Sequence, residues 1–290
     1  MKKLLTSVVL MSAILCASIG SGHAQATRTW VSGVGNDANP CSRTAPCKTF
    51  PGAISQTAAG GEIDVLDPGG FGAVTITKSI TIAAEGSGEG GILVAGTNGI
   101  AVNAGPNDIV ILRGLQIDGG PPGSNSLAGV KFNTGAKLTI QNSSIRNFTG
   151  GSPNGYGVSF TPSGASSLLI SDTVISSNGS GTTGGGIYVA PSGTGSAKVN
   201  LVRVLSANNT IGIQATGQTK IMVDQTTVAN NSTNGIQVNG TASVLLSNSV
   251  VTGNNVGLFK GGNGKIFSFG NNAISGNTTD GTPSSTLPLQ

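Results

Sequence analysis

Short alternating apolar segments return along most of this chain at intervals of 22 to 31 residues, and no other feature restricts its fold as much. They run as Ile109 to Ile111, Leu138-Thr139-Ile140, Leu168 to Ile170, Val199-Asn200-Leu201, Ile221-Met222-Val223, Val244-Leu245-Leu246 and Ile266-Phe267-Phe269. The last members of the first six fall at 111, 140, 170, 201, 223 and 246, in steps of 29, 30, 31, 22 and 23. A second series keeps step with the first, each member opened by glycine: Gly99-Ile100, Gly129-Val130, Gly157-Val158, Gly186-Ile187, Gly212-Ile213, Gly235-Ile236 and Gly257-Leu258. Between them lie Ser144-Ile145, Val174-Ile175, Val204-Leu205, Thr227-Val228, Val250-Val251 and Ala273-Ile274. Each repeat therefore holds three short strands, in which alternation sends one side chain inward and the next outward. One repeat alone can neither bury its apolar face nor pair its backbone groups; stacking repeats about 4.8 Å apart does both. The expected fold is all-β, a single-stranded parallel β-helix: a solenoid of about nine coils over residues 62–277.

The longest repeats carry their surplus in Asp118 to Ala128, Thr149 to Tyr156 and Gly179 to Gly185. These places are equivalent, so the corners should project from one side. Asn178, Asn208, Asn231, Asn254 and Asn277 each follow a middle-strand apolar position by three residues. They should stack as a ladder at a bend, their amides bonding to one another and to turn backbone. Both ends of such a coil need covers. Thr49 to Ala59 has the signature of a short N-terminal capping helix, with Thr49 as N-cap, Pro51 in the first turn, and Phe50, Ala53, Ile54 and Thr57 on one face. It should lie across the open bottom of the first coil, Glu62 to Ile76. At the far end Thr278 to Gln290, with Pro283 and Pro288, is poor strand material suited to discouraging end-to-end stacking.

Composition fits a chain of many tight turns. Charged residues are 9%, against an ordinary quarter or so, yet a mean hydropathy of +0.14 is too apolar for a disordered chain. Lys2 and Lys3, an apolar run from Leu4 to Ile19 and the small-residue ending Ala24-Gln25-Ala26 read as a secretory signal peptide over residues 1–26. The expected location is secreted or periplasmic. No later stretch approaches the roughly 18 apolar residues of a membrane helix, so no membrane insertion is expected. Loss of the signal removes Cys16 and His23 and leaves Cys41 and Cys47, six positions apart, to form one disulfide. It also leaves 15 − 2 = 13 basic against 11 acidic residues, with no basic run of the kind nucleic-acid binding uses. Four parts are expected: the signal at 1–26, an N-terminal segment with disulfide loop and capping helix at 27–61, the β-helix at 62–277 and a tail at 278–290. A monomer is expected.

The segment Trp30-Val31-Ser32-Gly33-Val34-Gly35-Asn36-Asp37-Ala38-Asn39-Pro40, then Ala45-Pro46-Cys47-Lys48-Thr49-Phe50 and Gly60-Gly61-Glu62-Ile63-Asp64-Val65, resembles the N-terminal region of pectate-lyase-like β-helix proteins. With the repeats, the resemblance covers nearly all of the chain after the signal. It implies a right-handed coil, as parallel crossovers prefer in general, and a polysaccharide-related role outside the cytoplasm. The clustered aspartates and His-Gly element of glycosidases with this fold are not recognisable, nor are the grouped acids of calcium-dependent lyases.

Two acid–base pairs sit in successive coils: Asp172 with Arg203, in a column that also takes Arg113 and Asn142, and Asp118 with Arg146. A lyase needs a base and an enolate-stabilising cation, but outward salt bridges between rungs account for both pairs. Gly86 to Gly91 has the spacing of a dinucleotide fingerprint, but a strand resumes at Ile92 where a helix would have to begin, so it reads as a coil corner. No cofactor or metal site is expected, and no catalytic residue is assigned. Behind the glycine series the outward positions are Lys131, Ser159, Tyr188, Gln214, Gln237 and Phe259, a stripe beside the projecting corners, with Tyr156 nearby. Flat apolar surface edged by hydrogen-bonding groups is what sugars require. Lys131, Tyr156, Tyr188, Gln214 and Gln237 are therefore the candidate binding residues for a polysaccharide or cell-surface glycan. The competing expectation is a polysaccharide lyase or related enzyme acting in a groove on the same side.

Overall fold

A computed structural model describes residues 25–86 and 89–288. The signal-peptide reading falls almost wholly outside the described residues, as does the centre of the Gly86 to Gly91 motif. The chain winds as a right-handed parallel β-solenoid whose strands form three parallel sheets of eleven, nine and eight strands. One coil illustrates the rest: Lys137–Gln141 lies in the first sheet, Ser144–Arg146 in the second and Tyr156–Phe160 in the third. Eight coils are complete, and a ninth contributes Lys265–Ser268 and Ala273–Ile274.

The interior is built from columns of like residues. In the third sheet Val130, Val158, Ile187, Ile213, Ile236 and Leu258 pair rung to rung and are buried. Each such side chain contributes roughly 1.5–3 kcal/mol by leaving water. The glycine that precedes each has a steric cause. A Cβ on Gly212 would lie 2.6 Å from the Gly235 carbonyl oxygen and 2.8 Å from the Asn231 amide nitrogen, so only hydrogen fits between rung and ladder.

Two segments sit one residue away from the expected register. Ile140 pairs with Leu112, so Val110 and Leu112 face inward and Ile111 faces out. Arg113 therefore lies beside Gln141 rather than in the column of Asn142, Asp172 and Arg203, and reaches Glu62 at 3.2 Å and Glu85 at 3.7 Å. The turn position falls to Gly114, at φ 71, where Asn142, Asp172, Arg203, Gln225 and Asn248 also hold left-handed backbone. In the sixth coil Leu205 pairs with Val174 and points outward, and Ser206 takes the inward place beside Ile175 and Val228. The interior accepts this serine because its hydroxyl donates to the Gly212 carbonyl at 2.9 Å and accepts from Asn209 Nδ2 at 3.3 Å.

That shift moves the asparagine ladder to Asn209; Asn208 is the turn residue before it, at φ 57. The ladder runs through backbone N–H groups. Phe148 donates to Asn178 Oδ1, Asn178 to Asn209, Asn209 to Asn231, Asn231 to Asn254 and Asn254 to Asn277, all within 2.9–3.1 Å. Asn277 donates to Asp280 Oδ1 from both its backbone and its side-chain nitrogen, at 3.0 and 2.9 Å, so a carboxylate ends the series.

The two ends are closed differently. The helix spans Phe50–Gln56, shorter than the expected Thr49 to Ala59, because Thr57 turns to extended backbone and begins the strand Thr57–Val65. Its hydroxyl, buried against Thr29 Oγ1 at 2.8 Å, donates to the Ala53 carbonyl at 2.7 Å. The Thr49 side chain caps the helix by accepting from Gly52 N, and Phe50 packs on Phe71 with ring centroids 5.2 Å apart. The strand Ala26–Val31 adds an outer rung, and its free edge is covered by the Cys41–Cys47 disulfide loop: Trp30 N donates to Cys41 O, and Cys47 N to Trp30 O, each at 2.9 Å. The tail, expected to be poor strand material, instead adds the two-residue strand Ser285–Thr286 to the first sheet, with Thr279 bridging to Val256. Pro283 precedes that strand and Pro288 follows it, so neither removes a donor from its two residues.

Candidate functional site

The outward column of the third sheet is the one expected, with Lys131, Ser159, Tyr188, Gln214, Gln237 and Phe259 neighbours on successive rungs. Beside it the corners 147–155 and 177–184 project from the fourth and fifth coils. They stack on one another through backbone bonds, Gly179 N to Phe148 O at 2.8 Å and Gly185 N to Gly155 O at 2.9 Å. In the next two coils only residues 208–210 and 230–233 link the second sheet to the third. The drop in repeat length leaves the long corners overhanging the short ones, and the step between them is a groove of about 280 Å³.

Ser152, Asn154, Thr182 and Thr183 form the overhang, and Ile211, Gln214, Asn234 and Gln237 form the floor. Tyr156 stands at the junction. Its ring stacks on Tyr188, with centroids 4.6 Å apart and planes 13° from parallel, and its hydroxyl donates to Gln214 Oε1 at 3.0 Å. Burial, with a smaller repulsion from Tyr188, pushes the Tyr156 phenol up to about 12, and burial raises Tyr188 as well. Asn234 Nδ2 donates to Gln237 Oε1 at 2.7 Å, which fixes the amide farther along the floor.

Of the candidate residues, Tyr156, Tyr188, Gln214 and Gln237 are thus brought together. Lys131 is not. It lies two rungs below Tyr188, donates to Ser159 Oγ at 3.1 Å and covers that serine, which is only 3% exposed; burial lowers the lysine's pKa. Sequence reasoning placed the corners but named none of their polar residues, because nothing in a Ser/Thr/Asn/Gly run marks which members turn toward the strand face.

A second cleft, of about 410 Å³, opens on the second sheet and contains Glu89, Asp118 and Arg146. Arg146 Nε meets Asp118 Oδ2 at 2.8 Å, the expected ion pair. Burial works to raise the Asp118 pKa, but hydrogen bonds from Arg146, Asn147 and Gly120 N outweigh it and hold the carboxyl below its ordinary range. It is therefore ionised at neutral pH, which does not suit a general acid. The Asp172–Arg203 pair also forms, at 2.6 and 2.8 Å, on the exposed surface. Among the described residues no group of three or more metal-ligating side chains gathers, and no helix is long and apolar enough to cross a membrane.

Residues 75–278 match the family model described as right handed beta helix region. Among solved structures, the crystal structure of pectate lyase Pel9A is similar, with a TM-score of 0.69 over 93% of this chain and 80% of that one at 16% identity. At that identity the likeness is one of fold. No curated protein matches the sequence.

Proposed function

Because the chain belongs to the right-handed β-helix family, whose stacked coils offer a long rigid side, we propose that it is an exported, non-catalytic protein that holds a glycan in the stepped groove. The stacked Tyr156–Tyr188 pair carries this reading. The half-buried ring of Tyr188, held rigid against the buried Tyr156 beside the groove, provides an apolar platform for a sugar ring, and the neighbouring amides provide convergent partners for its hydroxyls. Asn154, Gln214, Asn234 and Gln237 supply those partners. With the phenol of Tyr156 protonated at neutral pH and the other lining side chains uncharged, no base stands ready in the groove, which favours binding over lyase chemistry. Residues 1–26 serve as the export signal, and the mature chain acts as a monomer.

Affinity electrophoresis through gels containing polysaccharides tests the reading. Tyr188→Ala should weaken retention on the recognised polymer roughly tenfold, or about 1.4 kcal/mol, with the fold intact by circular dichroism. Equal retention of the variant and the parent would remove the groove from consideration. Release of unsaturated, ultraviolet-absorbing product by the parent would replace binding with catalysis.

A further inference from the structure

The third sheet and its corners carry no charge for most of their length. Residues 147–160, 177–197, 206–219, 226–242 and 248–259 trace five successive coils around this side without an Asp, Glu, Lys, Arg or His among them. The nearest cations in and beside the outward column are Lys131 below the groove and Lys260 above it. About a quarter of the residues in an ordinary soluble protein are charged, so a bare side of this extent is a feature in its own right. The charges are present elsewhere on the same coils: Asp172, Lys198, Arg203, Lys220 and Asp224 all belong to the first sheet or its turn into the second.

The groove holds amides and hydroxyls instead, and each of these both donates and accepts, as sugar hydroxyls do. A carboxylate only accepts. Brought into this step it loses water and meets neutral donors but no cation, so its desolvation is offset less fully than it would be beside a Lys or Arg. An uncharged sugar suffers no such cost. Building on the glycan-binding reading above, we infer that the groove selects an uncharged polysaccharide and rejects polyuronates. The hydroxyl of Tyr156 stays protonated across the working pH range, so the groove itself brings no titrating group to this selection.

The test compares retention of the full mature protein on uncharged polymers (β-glucan, mannan, xylan, cellulose) with retention on polygalacturonate and alginate, at low and high salt. Expected is retention on an uncharged polymer, changed less than twofold by salt or between pH 4 and 9, and at least tenfold weaker retention on either polyuronate. Gln237→Lys, which puts a cation on the half-buried groove floor, should raise polyuronate retention severalfold in a salt-sensitive manner. Polyuronate retention by the parent that equals the uncharged polymers' and is lost in Tyr188→Ala overturns the selectivity and leaves the glycan groove standing. Retention on neither class overturns both.

Discussion

Asn209 and Asn208 are adjacent, chemically identical and differently employed. Asn209 is 2% exposed; its Oδ1 accepts two bonds from Asn178, and its Nδ2 reaches the Ile175 carbonyl. Asn209→Ala should therefore destabilise the protein by about 2–4 kcal/mol in chemical denaturation, through orphaned donors and a cavity. Asn208→Gly, which keeps the left-handed turn, should change it by less than about 0.5 kcal/mol. Gly212→Ala should cost about 1–3 kcal/mol by forcing rungs apart. The ladder was legible as a repeated letter at Asn178, Asn231, Asn254 and Asn277, but its register in the sixth coil was not. The sequence places a leucine and a serine side by side, and a reader ranking by hydropathy puts the leucine inside. What reverses the order is a pair of hydrogen bonds to Ser206 that only the folded coil supplies. The tyrosine stack was half legible: the outward column follows from alternation, whereas the contact of Tyr156 with Tyr188 depends on a corner whose path the letters do not give.

Among the elements, the closing turn of the ladder is sensitive to acid. Hydrogen bonds from the side chain and backbone of Asn277 hold the Asp280 carboxyl below its ordinary range. A depressed folded-state pKa means that its stabilisation is present above the unfolded value, about 3.9, and is lost as pH falls through the folded one. The last coil should fray below about pH 4, seen as faster hydrogen exchange at the Asn277 amide. Asp280→Asn, which keeps the acceptor oxygen, should abolish that pH dependence. The capping helix was readable from Thr49 and Pro51, but not its end, because Thr57 satisfies a helix and a strand equally well until its partner Thr29, twenty-eight residues away, is in place. The tail was misjudged for the converse reason: two residues suffice for a strand when a sheet edge is already waiting.

At the level of the whole molecule, the coil was visible because its period is written three times over, in apolar triplets, glycines and asparagines. The groove was not, because it lies in the difference between neighbouring periods. Nearest-neighbour stacking makes stability a local quantity along the rod. Amide protection measured by hydrogen exchange should accordingly peak in the central coils and fall more steeply toward Thr286 than toward Ala26; a flat profile would contradict the inequality of the two ends. That inequality sets a direction. One terminus is locked under a helix and a covalent loop, while the other is held by a two-residue strand, a single bridge and the Asp280 turn, so under tension or proteolysis the molecule should unzip from the back forward. The Tyr156–Tyr188 stack, midway along, would survive the loss of the hindmost turns, leaving the proposed platform whole on a frayed protein.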